Sequence, residues 1–241
     1  RYHYHETGAV SPVEAVNLGV DMARGPYVAI VVDGARMVTP GLIASTLAAL
    51  RAFAKPFVCT LAWHLGPDVQ NRSITQGYDQ EAEDALLASV DWRNNGYRLF
   101  EISTLAQSSN MGFLGGLPHE CSWLAMTRTQ FSAMGGFDTR FTTPGGGLVN
   151  HDFLKRTAED PDTRFVVLLG EGSFHQVHGG IATNCPPKAL PIETFQAEYE
   201  AIYGMRYTRP TCRSRSISAN WLGTPCDSSR RSGHSGDRAG R

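Results

Sequence analysis

The apolar positions of this chain alternate between short continuous runs and helix-like spacings. Residues 27–32, YVAIVV, are a β-branched run that ends at Asp33, which is typical of a buried central strand of a parallel sheet. Apolar residues at helical spacing predict helices at about residues 12–24 and 40–55, and residues 57–63 form another strand-like run. Strand, helix and strand in this order are the βαβ unit of a three-layer α/β domain.

The rest of the chain continues the α/β pattern without an internal repeat. The predicted elements are a helix at 80–90, a strand at 97–102, a strand at 122–127, a helix at 129–134, a helix at 149–159, a strand at 165–169 and a helix at 191–204. A Ser/Gly-rich loop at 106–118 has the length of loops that cover or line a site. We therefore expect one α/β domain with a mixed, mostly parallel central sheet over residues 1–205.

Charge is distributed unevenly along the chain. Residues 206–241 contain eight Arg and two Asp, a net charge of +6, whereas the whole chain has a net charge of −1. This segment is also rich in Ser, Gly and Pro and poor in aliphatic residues, which predicts a basic, disordered tail. Because its aromatic residues, Tyr207 and Trp221, are too few to be interleaved throughout the arginines, we expect no nucleic-acid partner.

Composition excludes several classes of protein. Hydrophobic residues make up 41% of the chain and charged residues 19%, as in ordinary soluble globular proteins. No apolar run approaches the roughly 18 residues that cross a bilayer. We therefore expect no transmembrane segment and a cytoplasmic location, with peripheral attachment to the inner face of the membrane as an alternative. The five cysteines are scattered and lack a CxxC spacing, which argues against a structural zinc site and a disulfide framework.

Candidate chemistry begins at the end of the first strand. Ligands in open α/β sheets bind outside the carboxyl ends of strands, where this sequence places Asp33 and Arg36. A carboxylate and a guanidinium at that edge suit a ligand that carries phosphate, together with a metal ion. The alternative is that Asp33 only caps a turn with Gly34, since such turns are common after strands.

A second candidate is Asp152, at the start of the helix predicted at 149–159. With Asn150 as N-cap, Asp152 would lie in the first helical turn, where the helix dipole favours the ionised carboxylate. A general base must be ionised to take a proton from a hydroxyl, so this position suits such a base. The alternative is a carboxylate that only complements the helix dipole.

Two histidines, His175 and His178, lie beside glycines after the strand predicted at 165–169. In an extended segment, side chains three residues apart point to opposite faces, so both could bind one metal ion only if a turn separated them. One of them could bind a divalent cation or a diphosphate at the Asp33 edge, and the other would then be structural.

Three segments, in order, carry a family resemblance. Residues 17–42 read NLGVDMARGPYVAIVVDGARMVTPGL, and residues 121–156 contain a small-residue strand, GGFDTRF, a glycine-rich loop and an acidic motif that opens a helix. Residues 170–184 read GEGSFHQVHGGIATN. Together they resemble the N-x-G…hydrophobic-Asp segment, the acceptor region and the histidine segment of bacterial family 2 glycosyltransferases. The resemblance spans about residues 10–205 and implies the GT-A fold, a three-layer α/β/α sandwich.

This resemblance also implies roles for matching residues. Asp33 matches the first Asp of the D-x-D motif, which approaches the nucleotide ribose and the metal, and Asp152 matches the catalytic base. His175 or His178 matches the C-terminal ligand of the metal or the diphosphate. Binding of the donor nucleotide sugar is further implied for Arg36, Gly145, Gly146 and Gly147. Contact with the acceptor sugar is implied for Glu120, Trp123 and His151.

The chain departs from the family pattern at three points. The second acidic position of D-x-D is Ala35, so the metal would have fewer protein ligands, or Arg36 would partly replace it. The position before Asp152, often Glu in the family, is His151. The family's first β-strand and base-binding loop would lie before residue 1.

The function implied by the resemblance is inverting glycosyl transfer, assisted by Mg²⁺ or Mn²⁺. A sugar would pass from a nucleoside diphosphate to a hydroxyl of a glycan, glycolipid or small-molecule acceptor. One alternative is a nucleotidyltransferase, but the sequence shows no Gly-rich, Lys/Arg-bearing loop before the first helix. Another is a catalytically incomplete remnant or binding module, which the departures above and the basic tail favour.

Overall fold

The computed structural model describes residues 2–31, 35–113, 117–210 and 215–219. Its centre is one mixed sheet with strand order β1-β5-β3-β6-β2, in which β4 also pairs with β3 and β7 with β6. The seven strands of this described part are β1 (Tyr27–Val31), β2 (Arg36–Val38), β3 (Pro56–Leu65), β4 (Ser103–Leu105), β5 (Trp123–Thr127), β6 (Arg164–His175) and β7 (Arg215–Ala219).

Helices flank this sheet. The α-helices of the described residues are α1 (Val13–Met22), α2 (Leu42–Ala52), α3 (Gln70–Ser73), α4 (Gln80–Ala88), α5 (Gln107–Asn110), α6 (Arg128–Ala133), α7 (Val149–Glu159) and α8 (Ile192–Tyr203). Short 3₁₀ helices occur at Ile74–Gln76, Gly96–Ile102, Pro144–Gly146 and Pro187–Ala189. No helix in the described ranges has the length and apolar character needed to cross a membrane.

The alternation of side chains along the strands divides the core into two layers. On β3, Phe57 and Cys59 pack with apolar residues of α1, α6, α7 and α8, whereas Val58 packs on the opposite face against α2. The same alternation runs along β5, where Leu124 faces the first layer and Trp123 faces α2. The expected mixed α/β domain with helices on both faces of the sheet is therefore confirmed.

The prediction of a mostly parallel sheet is wrong. Parallel pairing joins β3 to β6 and β6 to β7, whereas the other four pairings are antiparallel. Strand β1 is also at the edge of the order rather than at its centre, and its alternate residues Ala29 and Val31 are exposed. The physical reason is that β5 lies between β1 and β3 and pairs antiparallel with both. Strands β1 and β3 therefore run parallel but are not neighbours, and the expected βαβ unit is split by β5.

Most of the other predicted elements occur within a few residues of their expected bounds. The helix at Val149–Glu159 matches its prediction, but Leu148 is its N-cap and Asn150 lies inside it. Residues 97–102 belong to a 3₁₀ helix rather than a strand. In the predicted tail, residues 215–219 form β7 and pair with β6, whereas 211–214 and 220–241 lie outside the described residues.

Candidate functional site

A row of three polar side chains crosses neighbouring strands at one end of the sheet. Arg36 on β2 is directly opposite His175 on β6, and His175 is directly opposite His64 on β3. Because residues directly opposite each other in a sheet share a face, the guanidinium and the two imidazoles form one group. The rings of His64 and His175 have centroids 4.8 Å apart.

A bulge in β6 creates this alignment. Thr60 pairs with Leu168 but Leu61 pairs with Gly172, so residues 169–171 are extra on β6. Without this shift the register would place Gly172 rather than His175 opposite His64. The bulge directs Glu171 inward, where its carboxylate accepts hydrogen bonds from the hydroxyls of Thr39, Ser45 and Tyr97. These bonds fix the bulge against the start of α2.

The row forms the floor of a cleft of about 280 Å³. Such a volume is just below the roughly 300–1,000 Å³ of small-molecule sites and suits a diphosphate or a single sugar ring. The remaining walls come from α5, the glycine-rich loop and the segment at 180–183. Residues that line the cleft include Arg36, His64, Asn71, Ser108, Ser109, Glu120, Ser122, Gly145, Gly147, His175, Ile181 and Thr183.

Glu120 supplies a carboxylate to this cleft. The hydroxyl of Ser109 donates to its Oε2 atom at 3.1 Å, and the backbone N–H of Glu120 donates to the carbonyl of Ser109 at 3.0 Å. Helix α5 is itself attached to β3, because the amide of buried Asn110 both donates to and accepts from the backbone of Ala62. Glu120 is therefore held over the floor through a continuous set of hydrogen bonds.

The glycine-rich loop approaches the cleft from the other side. Gly145 and Gly147 line it, whereas Gly146 is buried against Pro12 and Val149. Gly147 has φ +52° and ψ −120°, a conformation that side chains oppose. Glu198 anchors the start of the loop by accepting the N–H groups of Thr142 and Thr143, both at 2.7 Å.

His175 and His178 face each other directly. A turn after β6 brings their Nε2 atoms to 2.9 Å, a hydrogen-bond distance at which one ring donates and the other accepts. The turn that the two histidines would need in order to bind one metal ion is therefore present. His64 has a defined tautomer, because the backbone N–H of Gln70 donates to its Nδ1 at 3.2 Å. In a neutral ring this leaves the proton on Nε2, so this nitrogen is a donor suited to anions.

A metal site is only partly formed by the described residues. The 2.9 Å separation of the His175 and His178 Nε2 atoms is compatible with adjacent ligands of one octahedral ion, and binding would require loss of the shared proton. Within the described ranges, however, no group of three or more His, Cys, Asp or Glu side chains is arranged to hold a metal. The predicted third ligand, Asp33, lies outside the described residues.

Asp152 lies away from the cleft. Its side chain is 1% exposed, and its Oδ2 atom accepts a hydrogen bond from Arg156 Nε at 2.8 Å. Arg156 in turn donates to the carbonyls of Met134 and Gly136 at 2.7 and 2.9 Å. The carboxylate therefore ties α7 to the GGFD turn through Arg156 and does not line the cleft.

Trp123 is also directed elsewhere. Its indole N–H donates to Thr46 Oγ1 at 3.2 Å, in the layer between the sheet and α2. Asn150, the predicted N-cap, donates from Nδ2 to the carbonyl of Cys121 at 2.8 Å instead.

His151 belongs to a buried aromatic group beside Glu120. Its ring meets His119 edge to face at 5.0 Å and Tyr207 at 5.6 Å. Burial lowers the pKa of His151. Burial also lowers the pKa of His119, to about 4; positive charge on His151 and Arg209 lowers it further, whereas the negative charge of Glu120 raises it. Both rings are consequently neutral at physiological pH.

Sequence reasoning missed His64, Ser109 and Gln70. His64 had a visible signal, because it is the first polar residue after the apolar run 57–63, at the carboxyl end of a strand. Ser109 lies in the loop predicted to line a site, but nothing in the sequence distinguishes it from its neighbours. The side chain of Gln70 contacts His178 and Asn184, more than a hundred residues later in the chain, which no local pattern indicates.

A comparison of the sequence with profiles of known protein families gave no match, and a search of curated proteins likewise found none.

Proposed function

We propose that this protein is an inverting glycosyltransferase that uses a nucleoside-diphosphate sugar. The observation that carries the proposal is the row of Arg36, His175 and His64 on the floor of the cleft. A guanidinium binds phosphate oxygens in a bidentate manner, and the Nε2–H of His64 adds a further donor. Together they suit the diphosphate of a sugar donor, whose leaving group gains negative charge in the transition state.

In this proposal Glu120, rather than Asp152, is the general base. It is a carboxylate that lines the cleft, whereas Asp152 is buried and bound to Arg156. Glu120 would take the proton of an acceptor hydroxyl as that oxygen bonds to the anomeric carbon from the face opposite the diphosphate. The bond to the diphosphate oxygen breaks with its electron pair on that oxygen, so the configuration at the anomeric carbon inverts.

A divalent metal is a further part of the proposal. His175 and His178 would hold it, and when bound it would neutralise charge on the departing diphosphate. Arg36 and His64 would orient the same group from the sheet, and the backbone of Gly145 and Gly147 would allow the sugar to approach closely. The acceptor would be a glycan, a glycolipid or a small molecule.

The test is turnover of a panel of nucleotide sugars with Mn²⁺. We expect release of nucleoside diphosphate from one donor, an inverted anomeric product by NMR, and dependence on Glu120. Failure of a folded chain to release diphosphate from any donor, with or without simple glycoside and glycan acceptors, would contradict the proposal. Retention of anomeric configuration would contradict the in-line mechanism.

A further inference from the structure

The turn that brings His175 and His178 together is held by two buried polar side chains from separate helices. Glu83 on α4 accepts the backbone N–H of Val177 at 2.8 Å, and Gln70 on α3 donates from Nε2 to the carbonyl of His178 at 2.7 Å. Glu83 is 0% exposed and Gln70 is 2% exposed. A backbone donor and a backbone acceptor in one turn are thus satisfied by side chains of two different helices.

Both side chains have contacts that keep them in place. The hydroxyl of Tyr78 donates to Glu83 at 3.3 Å, and Gln70 makes a longer bond of 3.3 Å to Asn184 Oδ1. Asn184 directly follows the segment at 180–183 that lines the cleft, and the backbone N–H of Gln70 sets the tautomer of His64. Gln70 therefore connects the floor of the cleft, the histidine turn and one wall.

We propose that Glu83 and Gln70 are positioning residues that clamp the turn at 176–178 so that the Nε2 atoms of His175 and His178 face each other. Neither side chain lines the cleft, so both act through the backbone of the turn. The clamp supplies what the sequence spacing of the two histidines lacks, because an extended segment would direct them to opposite faces. Its relevance to diphosphate binding rests on the proposed function, but its effect on the histidine pair does not.

Two variants each remove one of the two hydrogen bonds of the clamp. Glu83→Leu removes the acceptor for the Val177 N–H, whereas Glu83→Gln retains an oxygen that can accept it and serves as the conservative rescue. Gln70→Glu replaces the donating NH₂ group with an oxygen, which would face the oxygens of His178 and Asn184 and could not donate to them. Its control is Gln76→Glu, the same change at an exposed position in the adjacent 3₁₀ helix. Because the two losses lie on different helices, failure of one variant to fold leaves the other as a test.

The direct readout is ¹⁵N NMR of the full chain without ligand. In the wild type we expect a through-hydrogen-bond coupling between the Nε2 nuclei of His175 and His178. Glu83→Leu and Gln70→Glu should lose this coupling while the thermal transition remains cooperative, and Glu83→Gln and Gln76→Glu should retain it. Persistence of the coupling in both clamp variants would overturn the proposal.

Calorimetry with inorganic pyrophosphate and Mn²⁺ provides a second readout. Loss of one satisfied hydrogen bond should weaken binding about five- to tenfold in each clamp variant. Unchanged affinity alongside a lost coupling would contradict a role of the clamp in binding. Absence of binding in the wild type would count against the proposed function, while the NMR result would still decide whether the clamp exists.

Discussion

At the scale of single residues, the sequence favours Asp152 over Glu120 as the catalytic base, whereas the structure favours Glu120. Asp152 has the helix position and motif of a catalytic base, but it is bound to Arg156 four residues later. That partner was visible in the sequence, since acidic and basic residues four apart on a helix are neighbours. Glu120 has no motif of its own, yet it lines the cleft beside Ser109.

These assignments predict different consequences for two matched amide substitutions. Glu120→Gln should lower turnover at least about a hundredfold, because general-base catalysis contributes typically 10²–10⁴-fold, while leaving stability nearly unchanged. Asp152→Asn should instead lower the free energy of unfolding by about 2–3 kcal/mol, since it leaves Arg156, 27% exposed, without its charged partner. Turnover assays and urea unfolding of both variants measure these effects. A folded Asp152→Asn variant with no turnover, beside an active Glu120→Gln variant, would reverse the assignment.

At the scale of elements, irregular backbone rather than regular helices and strands shapes the cleft. The bulge at 169–171 sets which residue of β6 lies beside His64, and Gly147 lets the glycine-rich loop turn toward the cleft. The GGFD turn is another irregular segment held by a distant side chain. Asn17 both donates to and accepts from the backbone of Phe137, at 2.8 and 2.9 Å. Two motifs of the family resemblance therefore contact each other and serve packing.

Replacing Gly147 tests the importance of the loop conformation. Gly147→Ala should destabilise the fold by about 1–3 kcal/mol because of its backbone angles. The added Cβ would also lie 2.8 Å from Glu198 Oε2, a contact that displaces the loop anchor. Gly19→Ala is the control, since Gly19 is inside α1 with no atom within 4 Å of an added Cβ, and it should be neutral or stabilising by about 0.5–1 kcal/mol. Equal thermal transition temperatures for Gly147→Ala and Gly19→Ala would show that the loop accommodates a side chain at position 147 without strain.

At the scale of the whole molecule, local pattern predicted the layers but not the arrangement of strands. Short apolar runs and apolar residues at helical spacing were sufficient to predict a sheet flanked by helices in an α/β domain. The place of β1 depends instead on β5, a strand about a hundred residues later in the chain, and periodicity carries no information about such pairing. The row of Arg36, His175 and His64 could not be predicted for the same reason, because it depends on three strands and a bulge.

Stability as a function of pH reflects the buried group around His119. The folded-state pKa of about 4 lies below the ordinary value of 6.5, so on acidification the unfolded chain takes up this proton first. His119 should therefore reduce the free energy of unfolding as the pH falls from about 6.5 to 4, by at most about 1.4 kcal/mol per pH unit. His151 acts in the same direction, whereas the raised pKa of buried Glu83 acts in the opposite one.

The comparison that isolates this effect is urea unfolding of the wild type and His119→Gln at several pH values. The difference between their unfolding free energies should change steadily between about pH 6.5 and 4, with the variant losing less stability on acidification. A difference that is independent of pH in this window would mean that His119 takes up its proton at its ordinary pKa.

The most direct test of the account is the binding of inorganic pyrophosphate by calorimetry to the wild type, Arg36→Gln and Arg98→Gln. Arg98 is a partly exposed arginine paired with Glu101, so its variant controls for the loss of one positive charge. We expect the wild type and Arg98→Gln to bind alike and Arg36→Gln to bind at least about tenfold more weakly, since hydrogen bonds from a charged group contribute about 1.5–3 kcal/mol. Equal binding by all three proteins, or no binding by the wild type, would contradict a diphosphate site on the row of Arg36, His175 and His64.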